Sequence, residues 1–120
     1  MPREFGRQLR VGAQIQRLLN ELLRHEVKDP RLAEVSISDV DLSGDLGVAK
    51  VYYSVLDPEA DTQSVAAAFE SAKGFLRSRI GGALKLRRVP ELRFMLDMSA
   101  KRGLELTQLI EDTIHGDETQ

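Results

Sequence analysis

The chain has 120 residues, enough for one domain with a buried core. It contains no cysteine, which excludes disulfides, thiolate catalysis and cysteine-held metals. No apolar run approaches the roughly 20 residues that span a bilayer, and the basic opening MPREFGRQLR has no apolar stretch behind it, so the sequence reads as cytoplasmic and without a membrane partner.

The formal net charge of −2 conceals strong segregation. Residues 1–31 hold seven Lys/Arg against four Asp/Glu, and residues 32–70 hold one against eight. Residues 71–102 hold nine against two, and residues 103–120 none against five. A pI near 5.7 therefore says nothing about the local field. Separation of this kind suits a protein that meets a polyanion with one face.

In chain order, the first predicted element is an amphipathic helix over about residues 5–27. Val11, Ile15, Leu18, Leu19 and Leu22 fall on one stripe, while Arg7, Arg10, Arg17, Arg24 and Lys28 project the other way. Pro30 stops it and pushes Asp29 towards extended geometry. Two strands follow, joined by SGDLG at 43–47 into an antiparallel hairpin. Val35 and Ile37 alternate with serines, but Val40 and Leu42 break the phase, which predicts a bulge near Asp39. In the second strand Val51, Tyr53 and Val55 share one side, and Lys50, Tyr52 and Ser54 the other.

After the loop at 57–63 a helical stripe runs through Val65, Ala68, Phe69 and Ala72, then resumes at Phe75, Leu76 and Ile80. Gly74 lies between, so the segment is expected to form two helices or one bent at Ala72-Lys73-Gly74, ending at 81–84. Residues 91–99 form a third strand with Leu92, Phe94 and Leu96 inward. A last helix is expected over about 102–114, before a short disordered acidic tail at 116–120. The expectation is a single α+β domain over residues 1–115, a three-stranded sheet with helices on one face.

Catalytic chemistry finds little support. His25 and His115 stand at predicted helix ends, where a cation suits the helix dipole. No nucleophile elbow or phosphate-cradling glycine loop occurs. DVDLSGD at 39–45 opens like a calcium loop, but Lys50 stands where that loop needs its bidentate Glu, and strands flank it. No metal, cofactor or enzymatic activity is expected.

The basic segment is the informative feature. Lys73, Arg77, Arg79, Lys85, Arg87 and Arg88 occur between 71 and 90 without one acid among them. Guanidinium forks pair well with phosphate oxygens. Phe69, Phe75 and Phe94 are assigned to the core, which disfavours base stacking and favours backbone and shape recognition of structured RNA. With Arg7, Arg10 and Arg17 of the first helix, these six residues form the expected RNA-binding set. A competing reading is a protein–protein adaptor that uses the acidic hairpin and never touches RNA.

The layout also resembles a type II KH domain, helix–strand–strand–helix–helix–strand. No G-x-x-G stands between the paired helices, where Ala72-Lys73-Gly74 is found instead. Together with RVGAQIQRLL (10–19), VKDPRL (27–32), VSISDVDLSGDLGVAKVYYSVL (35–56), GFLRSRI (74–80) and LKLRRVPELRFMLD (84–97), this kink resembles the ribosome-binding factor A family. The resemblance implies a monomeric, non-enzymatic assembly factor whose partners are the small (30S) ribosomal subunit and its 16S rRNA. It further implies a part in late 16S maturation, including 5′-end processing, and in growth in the cold. It leaves an assembly GTPase as a candidate second partner. Ala72, Lys73 and Gly74 would serve as a structural hinge.

Overall fold

A computed structural model describes residues 3–98, with side chains from residue 6 onward. The predicted last helix and the acidic tail lie outside the described residues, as does His115.

Helix α1 spans Arg3–His25. Its stripe of Val11, Ile15, Leu19 and Leu22 is buried as expected, Leu18 is half-buried and Leu23 joins the core. A short 3₁₀ turn, Pro30–Leu32, follows. Asp29 caps it in extended conformation and accepts a hydrogen bond from the Arg31 backbone N–H. Strands β1 (Val35–Leu42) and β2 (Val48–Val55) pair antiparallel. The register shifts between Ile37 and Asp39, which is the expected bulge and keeps Val40 and Leu42 on the core side.

Helix α2 runs unbroken over Thr62–Leu84, through Ala72, Lys73 and Gly74. The alternative of two separate helices is thus not adopted. Asp61 caps it by accepting from the Gln63 and Ser64 backbone N–H groups. Strand β3 (Glu91–Leu96) then pairs parallel with β2. Parallel neighbours need a crossover, and α2 supplies it. The sheet order is β1-β2-β3.

Phe69 is the centre of the core. It stacks on Phe94 at 4.3 Å between centroids and tilts against Tyr53 at 4.7 Å. Burial pushes the Tyr53 hydroxyl pKa up. The other face of the sheet is polar. Ser36 and Ser54 share a hydrogen bond at 3.1 Å across β1 and β2, and Ser38 donates to the Asp97 carboxylate at 2.7 Å.

Two close approaches fix how the helices lie. A Cβ on Gly12 would stand 3.0 Å from the Val40 carbonyl oxygen, so glycine lets α1 press onto the β1 backbone. A Cβ on Gly81 would stand 2.7 Å from Val89 Cγ2, so glycine there lets the segment before β3 lie against α2. Gln16 and Asn20 complete the α1 seam, because their amides donate to the carbonyls of Ile37 and Ser38 beside the bulge. Asn20 Oδ1 also accepts from the Ile37 N–H at 2.8 Å.

One expectation fails. Phe75, assigned to the core, is 44% exposed. At 100° per residue it projects about 120° away from Phe69, off the stripe that Leu76 and Ile80 continue.

Candidate nucleic-acid interface

The segment between α2 and β3 is built to present cations. Leu86 and Val89 pack against the core and Pro90 is fully buried. The residues between them, Arg87 and Arg88, are therefore turned outward and exposed, as is Lys85. Lys85 ends α2 in the left-handed region, with φ 51° and ψ 42°. That conformation costs a residue with a side chain about 1–2 kcal/mol and normally calls for glycine. Strain of this kind concentrates at functional positions, and here the position holds a charge.

Arg7 of α1 meets this segment in space. Arg7, Arg87 and Arg88 line one cleft of about 210 Å³, with Val11, Leu86 and Pro90 among its apolar walls. Asp45, from the β1–β2 hairpin, reaches the same cleft. Its carboxylate accepts from Ser43 Oγ at 2.7 Å and from the Gly47 N–H at 2.9 Å. The Ser43 bond, then the Gly47 bond, and to a smaller degree the charge of Arg88, hold its pKa below the ordinary carboxylate value. The stretch that opens like a calcium loop is thus a hairpin turn that uses its own carboxylate. Among the described residues no group of three metal-ligating side chains converges.

The remaining predicted residues are distributed differently. Arg77 and Arg79 are two apart on one helix and project about 160° from each other. Arg77 points towards β3 and donates to the Pro90 carbonyl at 3.2 Å and the Val89 carbonyl at 3.1 Å. It braces the cationic segment and has donors already engaged. Arg79 points to the far side, pairs with Glu26 just past α1, and lies 5.6 Å from the Phe75 ring centroid. Lys73 pairs with Glu70 at 2.9 Å. Arg10 and Arg17 are exposed on α1 but do not line the cleft. A Cβ on Gly74 would meet nothing within 4 Å, so it is an open point on the α2 surface.

The expected set therefore separates into an open cluster (Arg7, Lys85, Arg87, Arg88), a bracing residue (Arg77), two cations with acidic partners (Lys73, Arg79), and two exposed arginines on α1. Sequence reasoning missed Glu26 and the exposure of Phe75. Helical angle would have revealed Phe75; nothing local marks Glu26, which meets Arg79 across 53 residues.

The family model for ribosome-binding factor A matches residues 7–110. The chain belongs to the ribosome-binding factor A family. It is 42% identical over 120 residues to ribosome-binding factor A of Nitrosospira multiformis, covering 100% of this chain and 95% of that relative. Among solved structures, crystalline ribosome-binding factor A from Thermus thermophilus matches with TM-score 0.66 and 28% identity, over 74% of this chain and 94% of that one. A homology model of the Thermus thermophilus protein, fitted into the cryo-EM map of a 30S complex, matches with TM-score 0.64 and 27% identity. That match covers 76% of this chain and 96% of the other. The KH-like α+β fold expected from the sequence is the one this chain shares with these structures.

Proposed function

We propose that this protein is a non-enzymatic assembly factor that docks on the free small ribosomal subunit by placing its cationic face against 16S rRNA. The observation that carries this reading is the cluster of Arg7, Lys85, Arg87 and Arg88. Arg7, Arg87 and Arg88, from two distant segments, stand exposed around one cleft, and Lys85 is exposed on the same connecting segment, which Gly81, Arg77 and Pro90 hold against the fold. Such preorganised guanidinium groups favour phosphate oxygens. The relative fitted into a 30S complex supports the same partner.

In this reading the protein acts in the cytoplasm as a monomer during late 16S maturation, including 5′-end processing, and supports growth in the cold. Its release involves a partner such as an assembly GTPase. The adaptor reading is weaker, because two of the three hairpin carboxylates are used locally, Asp45 by its own turn and Asp39 by the Val40 N–H. Co-sedimentation with isolated small and large subunits tests the proposal. Binding to small subunits is expected, and binding to large subunits alone would overturn it.

A further inference from the structure

On the side of α2 away from the Arg7–Arg87–Arg88 cleft, a second groove of about 270 Å³ runs between the end of α1 and α2. Its floor is made of small residues, Ala68, Ser71 and Ala72, and Phe75 forms one end. Phe75 is 44% exposed, so its ring is open to solvent at this point. Lys28 lines the groove, and Arg79 lies next to it, over the Phe75 ring. The groove also carries two carboxylates. Asp29 is held by Arg31, with nitrogen–oxygen contacts down to 2.7 Å. Glu26 is held by Arg79.

The Glu26 pair is solvent-exposed and therefore weak enough to exchange. Glu26 sits at the carbonyl end of α1, its own N–H bonded to the Leu22 carbonyl at 2.9 Å. A carboxylate is disfavoured there by the partial negative charge of the helix end. A phosphate that displaced it from Arg79 would gain the guanidinium fork, whose planar donors match two phosphate oxygens. The neighbouring ring offers a flat apolar surface, and the small-residue floor leaves room beside it.

We propose that Phe75, Arg79 and Glu26 form a second RNA site that takes one unpaired nucleotide, its base stacked on Phe75 and its phosphate exchanged for Glu26 on Arg79. This deepens the rRNA-docking reading and rests on it for the identity of the partner. Duplex RNA cannot use the site, since paired bases are not available to a single ring. Glu26 then sets selectivity, holding Arg79 back from phosphates that bring no base to stack.

The test uses the full chain and a single-stranded RNA hexamer carrying one 2-aminopurine, whose fluorescence falls on stacking. The wild-type protein is expected to quench it. Phe75→Leu should weaken binding about 5- to 150-fold, the range found for loss of one base–aromatic stack. Phe75→Trp should retain it. Glu26→Gln should tighten binding about 1.5- to 5-fold, as expected for removing an exposed competing ion pair. Phe75→Leu with unchanged melting temperature and unchanged hexamer affinity would overturn the proposal, as would an absence of quenching by the wild type at low salt. Docking is read separately, from co-sedimentation of the wild type with small subunits. A protein that sediments with subunits but ignores the hexamer contradicts this site alone; one that quenches the hexamer but misses the subunits contradicts the docking reading alone.

Discussion

Lys85 is where backbone strain and charge oppose each other. Relieving its left-handed conformation gains about 1–2 kcal/mol, partly offset by losing a cation at a helix C-terminus, about 0.3–1 kcal/mol. Lys85→Gly should therefore raise the melting temperature by a few degrees while weakening attachment to small subunits. Calorimetry and sedimentation on the same variant check both halves. Arg77 behaves in the opposite way. Its guanidinium is tied to the Val89 and Pro90 carbonyls, so Arg77→Ala should cost about 1 kcal/mol of stability. Arg87→Ala and Arg88→Ala should leave stability nearly unchanged. The acidic side chains set the pH limit. Asp29, Asp45 and Asp61 have pKa values lowered first by side-chain hydrogen bonds, from Arg31, Ser43 and Ser64 respectively. A carboxyl with a folded pKa below its unfolded one stabilises the fold above the unfolded pKa, and that contribution is lost as pH falls through the folded value. Stability should thus decline below about pH 4, and Asp45→Asn should make the decline shallower in acid-titrated melting curves.

The elements were legible wherever a short-range rule governed them. The stripe of α1, the break at Pro30 and the phase slip at Asp39 are local patterns, and each appears where the pattern puts it. The 3₁₀ turn after Asp29 and the α1 seam of Gln16 and Asn20 were not legible, because they depend on how helix and bulge meet. In α2 the run Phe75-Leu76 looked continuous with the core, yet only Leu76 keeps the angle that reaches it. Arg77 and Arg79 looked equivalent as unopposed charges. Their partners, Pro90 and Glu26, lie on opposite sides of the helix and could not be read from composition. Replacing Arg7, Arg10 and Arg17 of α1 together with alanine should scarcely move the melting temperature, since all three are exposed. Affinity for subunits should nevertheless fall, mostly through Arg7. At Gly74 space is not limiting, so Gly74→Leu should fold. If Ala72-Lys73-Gly74 serves as a hinge, Gly74→Leu should reduce subunit binding more than Glu70→Ala does, by adding bulk and stiffness there. Equal binding by both variants would remove the hinge from the account.

For the whole molecule, the charge segregation seen along the sequence becomes a spatial arrangement only through packing. Gly12 brings α1 down onto β1 and Gly81 brings the cationic segment onto α2. Together these contacts deliver Arg7 to Arg87 and Arg88. Acidic residues elsewhere leave the net charge near neutral, so the Arg7–Arg87–Arg88 cluster is a local positive feature that the net charge does not reveal. The measurement that tests this most directly is the salt dependence of binding to small subunits. If four cations meet phosphates, counterion release makes log affinity fall linearly with log salt, with a slope of about −2.8 to −3.6. Replacing Arg87 and Arg88 with alanine should flatten the slope by about 1.4 to 1.8 while the protein melts as before. An affinity that does not change between about 50 and 300 mM salt, or a double variant with the wild-type slope, would contradict docking of rRNA by this face.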